Sequence, residues 1–362
     1  MNLETLLQKN DFDKQEICFL LSLQGEQAKK LLDKSLEMKL KYLDNKVHLR
    51  GLIEYSNICE KNCLYCGLRT HNAKPVRYTM TDEEVFACAE LAMQMNYGSV
   101  ALQCGERSDK AFTDKITHLV EKIKKVSDGK LGITLSCGEQ TKEVYTQWFN
   151  AGAHRYLLRI ESSNEDLYYK IHPKNNMHSF FRRLECIDTL QNIGYQTGTG
   201  VMIGLPFQTV EDLAEDILFF KKKDVAMVGM GPFIPHSDTP LWQYSEIIPN
   251  KKDRMLLTLK MIAVLRIMMP EINMVSATAN QTLDPLGREK AIMAGANVIM
   301  PNLTPNKYRE EYLIYPDKAC VGDKPEECYH CLDLRMHSID HEILYSEWGD
   351  SKAFLKKNAI KQ

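Results

Sequence analysis

The chain lacks an excess of charge of either sign. Its 362 residues hold 46 Lys plus Arg against 48 Asp plus Glu, a formal charge of -2. That excludes nucleic-acid binding through bulk positive charge. It also lacks any apolar run near the roughly 20 residues that span a bilayer. The opening stretch, MNLETLLQKNDFDKQEICFLL, has no basic start, apolar centre and small-residue cleavage site. A cytoplasmic location is therefore expected, with no membrane and no nucleic acid among its partners. No low-complexity tract is present, and no internal repeat beyond an alternation of strand and helix patterns. Apolar residues make up 44% and charged residues 26%, the mix of a globular enzyme rather than a disordered chain.

Cysteine is what the sequence has in quantity. There are 11, an odd number. In an intracellular chain of this size disulfides explain them poorly, and metal ligation or catalysis explains them better.

Residues 1–47 show helical spacing and no special chemistry, and read as an N-terminal helical extension. From 48 the rhythm changes. Apolar runs at 47–55, 99–103, 131–136, 155–160, 196–203, 227–231, 273–276 and 296–300 predict eight strands. Helical patterns at 81–95, 109–126, 142–151, 179–193, 209–222, 251–268 and 284–294 lie between them. Eight alternating βα units over 48–302 predict a (β/α)8 TIM-type barrel, with an open doubly wound sheet as the alternative. Residues 303–362 read as an irregular, cysteine-containing C-terminal extension.

After the first strand come Cys59, Cys63 and Cys66, spaced C-x3-C-x2-C. Three thiolates in eight residues can surround one metal centre. A structural zinc site usually closes with four protein ligands, for which His71 is a candidate. A [4Fe–4S] cluster held by three cysteines leaves one iron open to a small molecule. The tail repeats the theme with Cys320, Cys328 and Cys331, spaced C-x7-C-x2-C, and His330 nearby.

Other marks fall at strand ends. Gln103-Cys104-Gly105-Glu106 follows the second strand and Ser136-Cys137-Gly138-Glu139 the third. Arg159 and Glu161 stand two apart on the fourth, so they share one face. A buried Arg and carboxylate must pair or hold a ligand. Arg182 and Arg183 open a helix, and one of them can fork a carboxylate. Met202 lies in a glycine-rich stretch, Ile234 in the stiff loop GPFIPH, and Thr278 after the seventh strand.

The C-x3-C-x2-C loop, with Tyr65 just before its third cysteine, resembles the radical S-adenosylmethionine (SAM) superfamily. That resemblance implies a [4Fe–4S] cluster on Cys59, Cys63 and Cys66. SAM would be chelated by the open iron and cleaved to methionine and a 5′-deoxyadenosyl radical. It implies that Gln103, Glu161, Arg183, Met202 and Ile234, with Tyr65, hold SAM. The Gly-Gly-Glu element of the family reads here as Cys104-Gly105-Glu106, a departure at its first glycine.

The set NICEKNCLYCGLR, RYLLRIESSN, GVMIGLPFQT, VGMGPFIPHSDTPL and VSATA is similar to the radical SAM maturases of [FeFe]-hydrogenase over roughly 45–335. It is closer to them than to methylornithine synthase or biotin synthase, which stay as alternatives. This resemblance implies a cysteine-ligated Fe(II) substrate carrying CO and cyanide, attacked at the cysteine sulfur. It implies HydG and HydF as partner maturases, and an accessory iron–sulfur cluster on Cys320, Cys328 and Cys331. Ser136, Arg159 and Thr278 are the expected substrate contacts, Ser136 being counted with the cofactor side as well. The non-enzyme alternative is a zinc-binding scaffold.

Overall fold

The computed structural model describes residues 1–322 and 325–360; the side chains of 325–330 and 360 lie outside the description. Seven strands form a parallel sheet in simple sequential order: Gly51–Ser56, Ser99–Cys104, Gly132–Ser136, Arg155–Leu157, Gln196–Thr199, Met227–Val228 and Asn273–Met274. An eighth, Val298–Ile299, closes the ring. On one side Asn297 N donates to Met274 O and Ser276 N to Val298 O. On the other, His48 N, Arg50 N and Leu52 N donate to Asn297 O, Ile299 O and Pro301 O. The alternative of an open sheet is thereby excluded, and the chain is a (β/α)8 barrel.

The helices between strands begin where side chains can satisfy their first N–H groups. Thr81 with Glu84 and Thr209 with Asp212 form reciprocal capping boxes. Gly194, in the left-handed region, ends the helix Phe180–Ile193.

Several expected elements come out shorter, for local reasons. The first strand breaks at Arg50, leaving Lys46–Leu49 before Gly51–Ser56. The fifth breaks at Gly200, where a Cβ would overlap the carbonyl of Gly229. Met202–Ile203 then pairs separately with Gly231–Pro232. The helix expected at 284–294 is shorter, Gly287–Met293, and an additional helix, Thr278–Leu283, precedes it; Asp284-Pro285 divides them because proline cannot continue the first. Thr278, which follows the seventh strand as expected, is the first residue of this additional helix.

The N-terminal segment is helical, as expected. Its long helix, Gly25–Leu43, packs on Lys251–Met268 and sends Ser35 Oγ and Lys39 Nζ to the carbonyls of Ala294 and Ile292. The tail is more regular than its sequence suggests. It holds the helix Pro325–His337 and the strand Glu342–Leu344, which pairs in parallel with Lys46–His48. Residues 347–351 then cross the barrel floor, where Arg155, fully buried, donates to Trp348 O and Asp350 Oδ1. Among the described residues, no helix is long and apolar enough to cross a membrane.

Candidate active site

The three nearby cysteines sit at the C-terminal end of the first strand, the face on which barrels carry their sites. Their loop has almost no regular structure, so side chains must hold it. Arg77 does most of this. Its Nη1 donates to Asn57 O and Leu68 O, and its Nη2 to Arg69 O and Asn72 O, all within 2.7–2.9 Å. Asn57, fully buried, adds bonds to Val76 O, Glu311 O and Tyr78 N. Gly67 is needed because a Cβ would overlap Leu313 O and the His236 ring.

Burial pushes all three thiols up, Cys66 to about 12 and Cys63 well beyond its ordinary range. Each then stays neutral unless a cationic centre compensates its charge. Glu106 N lies 3.3 Å from Cys59 Sγ and Leu68 N lies 3.4 Å from Cys66 Sγ, so both sulfurs already have donors that favour the thiolate. Among the described residues, no three His, Cys, Asp or Glu converge as a single metal ion requires. A cluster takes each thiolate on a different iron and has no such requirement. The donor set fits an iron–sulfur cluster.

Beside the loop lies a buried lattice of two cations and two carboxylates. Lys61, between Cys59 and Cys63, reaches Glu106 at 3.0 Å and Glu139 at 2.9 Å. Arg183 Nε donates to Glu139, Nη2 lies 3.4 Å from Glu106, and Nη1 donates to Arg159 O at 2.9 Å. Burial outweighs the two cations at Glu106 and raises its carboxyl. At Glu139 desolvation is outweighed by the closer Arg183 and Lys61, which hold its carboxyl low. The fork of Arg183, expected on SAM, is thus occupied by protein groups. Arg182 points outward to Glu185.

Tyr65 lies under the loop in a small apolar nook with Met202, Ile171, Leu205, Phe233 and Leu241. Its hydroxyl is 3.2 Å from His172 Nε2, and the rings meet edge-on at 5.3 Å. His172 Nδ1 is 3.0 Å from Tyr168 O, and burial holds the ring well below its usual range, hence neutral. Nδ1 then donates and Nε2 accepts from Tyr65. Ile234 is half-buried, next to Phe233.

On the inner wall Glu54, Gln103 and Ser136 stand on one rung, by the register Glu54↔Gln103↔Ser136. Gln103 Nε2 donates to Tyr312 Oη at 3.3 Å. Arg159 grips Glu161 by both Nε and Nη2. Thr278 sits apart from these, with Arg288 Nη2 at 3.5 Å from its Oγ1. The same Nη2 is 3.8 Å from Cys320 Sγ. Cys331 is exposed on its helix. The side chains of Cys328 and His330 lie outside the described residues.

The structure therefore brings together Cys59, Cys63 and Cys66; Tyr65 and Met202; Gln103 and Ser136; and Arg159 and Glu161. Arg77, Lys61, His172, Glu54, Arg288 and Lys318 were not singled out from the sequence. Lys318 enters the barrel from the tail and pairs with the buried Glu54. No local pattern announces any of these six, since each acts across the fold. Glu106 and Glu139 carry one signal, the twice-written Cys-Gly-Glu at adjacent strand ends.

The chain matches two family models, the radical SAM superfamily over residues 53–220 and the biotin and thiamin synthesis associated domain over 232–323. The [FeFe] hydrogenase maturase subunit HydE of Thermotoga maritima is 43% identical over 350 residues, 96% of each chain. Biotin synthase of a Sulfurihydrogenibium species is 24% identical over 74% of this chain and 78% of its own. Among solved structures, methylornithine synthase (PylB) superposes with a TM-score of 0.79 at 21% identity, covering 95% of this chain and 97% of its own. HydG, a maturase of the [FeFe]-hydrogenase, gives 0.79 at 21% identity, over 95% and 75%. Those two structures speak for the barrel alone. With a cluster loop at the barrel mouth and a relative this similar from end to end, the chain belongs to the radical SAM enzymes, in the family of the [FeFe]-hydrogenase maturase HydE.

Proposed function

We propose that this enzyme matures [FeFe]-hydrogenase as HydE does, acting on a cysteine-ligated iron species that carries CO and cyanide. The observation that carries the reading is the 43% identity over 96% of both chains, which spans the cluster loop, the barrel wall and the tail. Methylornithine synthase and biotin synthase share the barrel at much lower identity and are the weaker readings.

Cys59, Cys63 and Cys66 would hold the [4Fe–4S] cluster. When reduced and bound to SAM, that cluster supplies the electron that yields methionine and a 5′-deoxyadenosyl radical. Tyr65 and Met202 offer an apolar wall for the adenosine part, and Ile234 extends it. Gln103 and Glu161 offer polar groups to the methionine part. The Lys61–Glu106–Glu139–Arg183 lattice keeps the loop in register and brings Arg183 near the same end. Arg159, 30% exposed in its side chain, presents a cation to an anionic iron–cyanide substrate, with Ser136 and Thr278 further along the wall. The barrel walls exclude water from a reactive carbon radical.

We further propose that Cys320 and Cys331, with Cys328, hold an accessory iron–sulfur cluster, that HydG supplies the substrate and that HydF is a further partner maturase. The proposed organisation is a helical extension over 1–47, the barrel over 48–302 and an accessory tail over 303–362.

The test is anaerobic reconstitution with iron and sulfide, followed by a dithionite-driven assay for 5′-deoxyadenosine. Brown protein that cleaves SAM, and loses cleavage in Cys59→Ala, supports the radical chemistry. Product formation from the synthetic cysteine–iron complex then tests the substrate. A colourless, zinc-loaded protein without cleavage would sink the reading.

A further inference from the structure

The tripeptide Cys-Gly-Glu is written twice, at 104–106 and 137–139. The register Gln103↔Ser136 places the two cysteines side by side on the next rung. Neighbouring strands stand about 4.8 Å apart, inside the Cα separation of about 4.4–6.8 Å that a disulfide spans. Cys137 Sγ donates to Leu102 O at 3.8 Å, across to the strand that carries Cys104. Both are buried, Cys137 completely and Cys104 to 9% exposure. Neither has a role in the site described above.

The residues just after the two cysteines are also paired. Gly138, at φ +78, lies where a Cβ would overlap the Glu106 side chain, and a Cβ at Gly105 would overlap Ile58 O. Glu106 and Glu139 both clamp Lys61. Glu106 N faces Cys59 Sγ, and Glu106 O accepts from Glu60 N at 2.8 Å. A change at the thiol pair therefore has a path of two residues to a cluster ligand.

We propose that Cys104 and Cys137 form a reversible disulfide under peroxide, and that the bond loosens the clamp on the cluster loop. Cys104, the less buried, loses its proton and attacks one peroxide oxygen, giving a sulfenic acid and one water. The Cys137 sulfur then displaces the hydroxyl as a second water and forms the S–S bond. Two thiols and one peroxide thus yield one disulfide and two waters, with the two electrons passing to the peroxide. Burial holds the Cys104 thiol well above its usual range, so the switch is slow and answers sustained oxidant. Formation of the bond does not depend on the assigned activity; its effect on the cluster rests on that reading.

The experiment treats the reconstituted, full-length enzyme anaerobically with diamide, a two-electron thiol oxidant that stands in for peroxide. Non-reducing digestion follows. The expected product is the tryptic peptide 78–107 joined to 131–142, with the bond at Cys104 by fragmentation. It should revert with dithiothreitol and be absent in Cys104→Ser and in Cys137→Ser. After diamide, iron release to a chelator should be severalfold faster in the native protein than in whichever of these variants folds, the variants reporting release from the tail site alone. Free thiols at both Cys104 and Cys137 after prolonged diamide treatment would overturn the switch. So would a bond from Cys104 to Cys59, or a linked pair with unaltered iron release.

Discussion

Arg159 donates to both carboxylate oxygens of Glu161 at 2.8 Å, from a residue only two positions away. The pairing bends the chain: Glu161 takes φ +66, in the left-handed region that a non-glycine residue enters at a cost. The bent turn passes its own backbone to the next unit, with Glu161 N on Gly200 O and Met202 N on Glu161 O. The Arg159 guanidinium, the Glu161 carboxylate and Met202 are thus held by one turn. Arg159→Ala should keep the cluster and SAM cleavage but lose substrate turnover by about a hundredfold. Arg159→Lys, which keeps charge without the fork, should fall between. Parallel assays of 5′-deoxyadenosine and of iron product check this. If Arg159→Ala is unfolded by circular dichroism, the residue is structural only.

Glu54 is 1% exposed and is met by Lys318, 264 residues later, and by Asn302 Nδ2 at 2.9 Å. Removing one partner of a buried pair strands the other charge. Lys318→Met should cost about 3 kcal/mol in urea unfolding. Adding Glu54→Gln should recover most of that. A double variant no more stable than the single one would show that the two groups do not couple.

Much of this architecture was legible in the sequence because it rests on short-range pattern. Periodicity located the strand and helix series, and C-x3-C-x2-C located the three-cysteine loop at the barrel mouth. The residues that fasten the site were not legible, since their partners are far away in sequence. Lys61 meets Glu139 across 78 positions, and Asn57 meets Glu311 across 254. Arg183 read as a free fork because nothing local shows that Glu106 and Glu139 already fill it. The tail read as irregular because the strand Glu342–Leu344 is only three residues long and owes its form to Lys46–His48.

Asp216 gives a pH dependence. It is fully buried and accepts from Ser163 N at 2.7 Å and Ser163 Oγ at 2.6 Å, while its other oxygen has no partner. Burial pushes its carboxyl up from 3.8 to about 7. The folded chain therefore holds a proton that the unfolded chain releases above 3.8. The stabilising contribution is whole below about 3.8, declines as pH rises through the window and is gone above about 7. Asp216→Asn keeps an acceptor for Ser163 and has no charge to bury. It should be more stable than the native chain at pH 8 by at least about 1 kcal/mol, with the gap closing toward pH 4. Urea midpoints across that range check the slope; a constant gap would mean that Asp216 does not titrate there.

Two glycines with the same backbone strain separate conformational cost from packing cost. Gly129 has φ +73 with nothing within 4 Å of an added Cβ, whereas Gly138 has φ +78 with the Glu106 side chain in the way. Alanine at 129 should cost only the left-handed penalty, about 1 kcal/mol. Alanine at 138 carries that penalty and must also push Glu106 off Lys61 and Arg183, breaking buried charge pairs, for a total of about 3 kcal/mol or more. Because Glu106 N also faces Cys59 Sγ, Gly138→Ala should release cluster iron to a chelator faster, and Gly129→Ala should not. Equal stability loss and equal iron release in the two variants would mean that Glu106 is free to move without disturbing the loop, and that the lattice does not hold the cluster ligands in place.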